Sequence, residues 1–221
     1  MAALGGGHVK PHRPNLLALG AIALLALAIL LTLALLKGSK PPLKRVSGLR
    51  DATVLPAGLT NSPAPAIKLR DARGGVLDTR LLRGTPYAIT FLYTSCPDVC
   101  PLIGEELQAA LGRLGAASRR VAVVGVSVDP RGDTLAAVRA WLRMHREPNN
   151  FHYLIGSERS LKPTWNAYFV APQIPGDPNS SHTAAIWLVD REGRRVAEIN
   201  AGAPISPSDL AYDFRALLHE R

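Results

Sequence analysis

YTSCPDVCP, residues 93–101, decides the fold. It holds both cysteines of the chain, Cys96 and Cys100, each followed directly by a proline, Pro97 and Pro101. The residues leading into it, 87–93 (YAITFLY), are apolar and partly β-branched or aromatic, the composition of a buried strand. The residues leading out repeat at helical spacing: Leu102, Ile103, Leu107, Ala110, Leu111 and Leu114. The cysteines therefore fall on a strand-to-helix turn. A thiol there lies near the positive end of a helix dipole, which favours thiolate. If both lie near the first helical turn, their sulfurs share one side, near enough to hold a metal or close a disulfide.

Working outward, residues 66–78 read as a hairpin turning at Arg73-Gly74-Gly75. Residues 121–129 (VAVVGVSVD) form a continuous apolar run, which predicts a central strand covered on both faces. Asp133 or Thr134 can cap a helix that runs to His145, with Leu135, Val138 and Leu142 on one face. Residues 151–156 predict a short strand and 158–168 a helix containing Pro163. A Pro-rich loop follows. Residues 183–190 and 194–200 then form a hairpin across Arg191-Glu192-Gly193, and a last helix begins near Ser206, Ser208 or Asp209. Strand–helix alternation closed by an antiparallel hairpin predicts an α/β, three-layer sandwich of thioredoxin-like architecture.

Upstream the chain changes character. Residues 1–15 are a polar tail. Residues 16–36 contain no charge and are mostly Leu and Ala. At about 1.5 Å per residue the run spans roughly 30 Å, which predicts a transmembrane anchor. It is longer than a signal-peptide core and lacks a small-residue cleavage site, so the anchor is read as uncleaved. Residues 37–65, with Pro41, Pro42, Pro56, Pro63 and Pro65, read as an extended tether, and residues 66–221 as the folded domain. The formal net charge is +9, but seven Lys and Arg and no Asp or Glu fall within residues 1–50. The basicity flanks the apolar run, where it suits lipid head groups, and leaves no basic stripe for nucleic acid.

Four stretches carry a family resemblance. They are FLYTSCPDVCP (91–101), VSVDPRGDT (126–134), SHTAAIWLVDREGR (181–194) and the anchor with its Pro-containing tether. Together they resemble the Sco/SenC family, membrane-anchored thioredoxin-like copper proteins that help assemble the copper site of cytochrome c oxidase. The resemblance covers roughly residues 66–200. It implies a metal site made of Cys96, Cys100 and the distal His182, with copper as the metal. One departure is Ser95, where many members have His; another is the loop before His182. The implied partner is the copper-containing oxidase subunit, and the implied location is an inner membrane with the domain on the periplasmic side. The flanking charges alone would place the domain in the cytoplasm. The resemblance is followed here because large domains translocate despite nearby charge.

The donor chemistry fits that expectation. Two thiolates and an imidazole form a soft set that selects Cu(I), whereas structural zinc takes four ligands. Asp98, between the cysteines, and Asp129, at the end of a strand, are candidates to shape the site from outside the ligand set. The same thiols can exchange with disulfides, and a Cys96–Cys100 disulfide would block metal binding. This leaves a copper chaperone, not an enzyme in the usual sense, and a thiol–disulfide oxidoreductase as its alternative. A peroxidase of the peroxiredoxin kind fits poorly, because Thr94 is wrongly spaced from Cys96. An oxidase copper subunit would need a His four residues after Cys100, where the chain has Gly104. His8 and His12 read as tail residues, and His145, His152 and His219 as structural.

Overall fold

The computed structural model describes residues 24–25, 27–29, 32, 49–50, 59, 61–173, 183–201 and 204–219. Two compact units emerge, Met1–Pro42 and Leu43–Arg221. In the first, Leu24, Leu25, Leu27, Ala28, Ile29 and Thr32 are helical. The remainder of the 16–36 run and the whole 1–15 tail lie outside the described residues. No helix among the described residues is long and apolar enough to cross a membrane.

The second unit is built on an eight-stranded sheet. In chain order the strands are β1 (Ser62–Pro63), β2 (Lys68–Asp71), β3 (Val76–Asp78), β4 (Tyr87–Leu92), β5 (Ala122–Ser127), β6 (Phe151–Ile155), β7 (Ala185–Val189) and β8 (Arg194–Asn200). Their order across the sheet is β1-β8-β7-β4-β5-β6-β2-β3. β4, β5 and β6 are parallel neighbours, while β7 runs antiparallel to β4 and β8 antiparallel to β7. Every residue of β4, β5 and β7 is buried, so layers cover both faces of the sheet. This is the mixed α/β, thioredoxin-like arrangement the sequence predicts.

Four helices supply those layers: α1 (Val99–Leu114), α2 (Leu135–Met144), α3 (Glu158–Ala167) and α4 (Pro207–His219). α1 and α2 both bridge adjacent parallel strands in the same direction, so right-handed crossovers put them on one face. Gly104 of α1 accordingly passes close to Trp141 of α2: a Cβ there would lie 2.9 Å from the Trp141 ring. α1 also packs against α4. α3 leads across the sheet to β7. Just beyond it, the Tyr168 ring meets Phe91 of β4 and Trp187 of β7 at centroid distances of 5.7 and 5.8 Å.

The fold takes in part of the stretch read as tether. Ser62 and Pro63 pair with Arg195 and Arg194 on the sheet edge. Leu49 is buried, and the Arg50 N–H donates to Asp213 of α4 at 2.6 Å while its guanidinium lies over Tyr212. A two-residue strand carries too little periodicity to be read from sequence. α1 also starts earlier than its apolar spacing suggests. Asp98 caps it, and Pro101 is tolerated inside the first turn, where an N–H has no intrahelical partner.

Glu147, just beyond α2, is buried between Trp141 and Gly104, and neither carboxyl oxygen has a hydrogen-bond partner among the described residues. Burial pushes its pKa up to about 8. An acid whose folded-state pKa is raised stabilises the fold in its protonated form. That contribution is complete below the unfolded value near 4.5 and is lost as pH rises towards 8. We expect wild-type stability to fall by a few kcal/mol across that window, at about 1.4 kcal/mol for each pH unit that separates the two values. Glu147→Gln should flatten that slope in urea denaturation at stepped pH. An equal slope in both proteins would refute the assignment.

Candidate metal centre

β4 delivers the chain to the cysteine turn, and α1 carries it away. Cys100 is the second residue of α1, and Cys96 lies four residues before it, outside the helix. The Cys100 backbone N–H donates to Cys96 Sγ at 3.3 Å, so the helix start points a donor at that sulfur. Neither cysteine is in a disulfide, and both are buried, Cys100 completely and Cys96 with 7% exposure. The hydrogen bond to Cys96, reinforced by burial, pushes the Cys100 thiol far above the ordinary range. The helix-dipole expectation of an easily formed thiolate is therefore not met at Cys100: the neighbouring sulfur and desolvation outweigh the dipole. Two neighbouring thiols form a site that a soft cation can occupy in place of their protons.

A groove of about 540 Å³ opens onto this turn, lined in part by Thr94, Ser95, Cys96, Pro101, Met144 and His145. Fully buried Cys100 does not line it. An incoming group thus meets Cys96 first. Tyr93 closes the turn from the strand side. Its carbonyl accepts from the Cys96 N–H at 3.2 Å, and burial, together with a hydrogen bond to Cys96, raises its phenol pKa.

The candidates named from sequence fall in different places. Asp98 caps α1 through the Val99 N–H and has Oδ1 3.7 Å from Cys96 Sγ. Asp129 accepts from the Arg131 and Gly132 N–H groups at 3.1 and 3.0 Å, which fixes the turn after β5. His152 pairs with Asp71 at 2.7 Å and ties β6 to β2. His182 lies outside the described residues, and among those described no three His, Cys, Asp or Glu side chains gather as a metal cluster. The flanks of its loop are described. The Ala171 N–H donates to Thr183 Oγ1 at 3.2 Å, and the Gln173 N–H donates to the Val128 carbonyl at 3.1 Å. Gln173 is thus tied to the segment just after β5.

Sequence reasoning missed the residue that organises the turn. Asp133, 4% exposed, accepts four hydrogen bonds. Oδ1 takes the Thr94 N–H at 2.7 Å and the Thr94 hydroxyl at 2.8 Å. Oδ2 takes the Ser127 hydroxyl at 2.6 Å and the Tyr153 hydroxyl at 3.2 Å. One carboxylate therefore joins the cysteine turn to the end of β5 and the middle of β6. Burial raises its pKa in spite of these donors. In the sequence Asp133 stands within the VSVDPRGDT stretch and reads as a helix cap; the cap is Thr134.

The two oxygens make distinguishable demands. Oδ1 faces a fixed backbone donor, whereas Oδ2 faces hydroxyls that can rotate and accept. Asparagine can satisfy both sides and alanine neither. Asp133→Ala should cost about 2–4 kcal/mol in urea denaturation, and Asp133→Asn about 1 kcal/mol or less. Equal losses in the two variants would contradict this network.

The sequence and fold are similar to those of known proteins. The SCO1/SenC family model matches residues 61–219. A curated protein of Stutzerimonas stutzeri, named for copper binding, is 28% identical over 142 residues, covering 62% of this chain and 69% of its own. An SCO2-like protein of Rickettsia conorii is 29% identical over 133 residues, covering 58% of this chain and 64% of its own. The chain thus spans about two thirds of the length of these curated relatives. Among solved structures, Bradyrhizobium japonicum ScoI with copper bound is 31% identical with a TM-score of 0.62, covering 71% of this chain and all of that one. Apo Sco1 of Thermus thermophilus is 26% identical with a TM-score of 0.65, covering 78% of this chain and 99% of that one. With the match spanning most of the folded unit, the chain belongs to the SCO1/SenC family.

Proposed function

We propose that this protein binds copper and delivers it to the copper site of cytochrome c oxidase, assisting assembly of that enzyme. The observation that carries the reading is the buried pair of reduced cysteines at the strand-to-helix turn, with Cys96 facing the groove and Cys100 behind it. The family membership and the copper-bound relative support it. Copper is the cargo, and Cys96, Cys100 and His182 are its ligands. Cys96 meets the incoming ion first, and each thiol gives up its proton as its sulfur binds. Three ligands leave a position through which the ion can pass to an acceptor. Asp98 and Asp133 hold the turn in shape, and Asp129 shapes the neighbouring one. Residues 16–36 anchor the chain in the inner membrane as a single span, and the domain faces the periplasmic side.

A second reading has its own support in the two neighbouring reduced cysteines. Thiol–disulfide exchange with an oxidised partner would convert Cys96 and Cys100 to a disulfide. The partner's disulfide would take up the two electrons and two protons and leave as a dithiol. Metal binding and this exchange exclude each other, because both use the same two sulfurs.

Copper stoichiometry of the full chain in detergent separates the readings. Wild type should retain one Cu(I) per chain against a competing chelator, and Cys96→Ser or Cys100→Ser none. His182→Ala should hold copper at least about tenfold more weakly, on the scale of one lost ligand or its support. Undiminished retention in His182→Ala would favour the oxidoreductase. A reporter fused after Arg221 should be active on the periplasmic side; activity confined to the cytoplasm would overturn the orientation.

A further inference from the structure

A second cavity, of about 550 Å³, lies near the C-terminal end of α2, and its lining includes Arg73, Arg139, Arg143, Arg146, Glu147 and Asn149. Four guanidiniums on one cavity repel one another and remain charged at any physiological pH. The ion pairs among the described residues involve Arg50, Arg80, His152 and Arg194, and none of these four. The one acidic side chain in the lining is Glu147. With its pKa pushed up to about 8, it meets the arginines at neutral pH mainly as a neutral acid. The other carboxylate acting on Glu147 is Glu105 of α1, which is exposed and outside the lining.

Two of the arginines are held in place. Arg73 Nε donates to the Phe151 carbonyl at 2.6 Å, and its Nη2 donates to the carbonyls of Glu147 and Pro148 at 2.9 and 2.6 Å. Arg139 Nε donates to the Ala72 carbonyl at 2.8 Å. Gln108 of α1 braces the loop after α2 by donating to the carbonyls of His145 and Arg146 at 2.9 and 2.6 Å.

Arg146 itself sits in the left-handed region at φ +52°. It closes α2 in a Schellman arrangement, with Glu147 N–H on the Leu142 carbonyl at 2.9 Å and Arg146 N–H on the Arg143 carbonyl at 3.1 Å. Glycine is the usual residue there, and a side chain costs about 1 kcal/mol or more. The chain accepts that strain and gains a fourth guanidinium at the cavity.

We propose that this cavity is an oxyanion site that binds a phosphate group, as free phosphate or as the headgroup of an anionic phospholipid. Phosphate presents several oxygens and up to two charges, which suit a lining with four guanidiniums; a carboxylate would satisfy one or two of them. The site is separate from the cysteine turn and does not depend on the copper reading.

The test uses the full chain in a neutral detergent, with backbone amide shifts of residues 139–149 as readout. One arm adds inorganic phosphate at constant ionic strength. The other adds dihexanoyl phosphatidylglycerol, with dihexanoyl phosphatidylcholine as the zwitterionic control. Saturable shifts with phosphate support the site. Saturable shifts with the anionic lipid alone support it and assign the headgroup as ligand. Arg143→Gln with Arg146→Gly, which suits the left-handed backbone and should fold, should weaken binding by about tenfold or more. The proposal is overturned if neither arm saturates, if the phosphatidylcholine control matches the anionic lipid, or if the variant binds as tightly as wild type.

Discussion

The cysteine turn depends on one buried carboxylate. Asp133 lies 33 residues beyond Cys100, yet both of its oxygens are committed within the turn's own framework. A turn between a strand and a helix has loose ends: Thr94 leaves β4 with an N–H and a hydroxyl to satisfy, and Ser127 and Tyr153 bring two more hydroxyls from neighbouring strands. In a dry interior, each donor left unmatched would cost about 1–3 kcal/mol. Asp133 satisfies all four, and so fixes where β4 stops relative to β5 and β6. The positions of Cys96 and Cys100 follow from that.

The same economy explains the helix that follows. Asp98 caps α1 beside Cys96, and the Cys100 N–H that would otherwise be an orphan of the first turn donates to the Cys96 sulfur. The cap and the sulfur thus meet two of the helix's unsatisfied donors, and Pro101 has none to satisfy. One turn further on, Gly104 lets α1 approach Trp141 and Glu147. α2 lines both the cysteine groove and the arginine cavity, contributing Trp141 and Met144, with His145 just beyond, to the first and Arg139, Leu142 and Arg143 to the second. Two chemically different surfaces, one soft and one cationic, are therefore set by the placement of a single short helix.

Much of this was legible in the sequence where burial and local periodicity agree. β4, β5 and β7 are largely apolar runs bounded by turn residues, and α2 and α4 show plain helical spacing with caps. The cysteine motif announced the site. What escaped was whatever depends on residues far apart in the chain. Asp133 looks like any helix-capping residue until Thr94, Ser127 and Tyr153 converge on it. β1 is two residues long and is defined by its partners on β8. The start of α1 was hidden by Pro101, whose cost vanishes in a first turn. The raised pKa of Cys100 arises from a neighbouring sulfur and burial, and the dipole rule applied to sequence alone accounts for neither. His182 was reached through family resemblance, and it lies outside the described residues.

The central claim is that Cys96, Cys100 and His182 together hold one Cu(I). Extended X-ray absorption fine structure of the copper-loaded full chain reads that ligand set directly. The predicted result is two sulfur scatterers and one imidazole nitrogen on a copper with no copper neighbour. A first shell of nitrogen and oxygen alone, or a sulfur-bridged copper cluster, would contradict it.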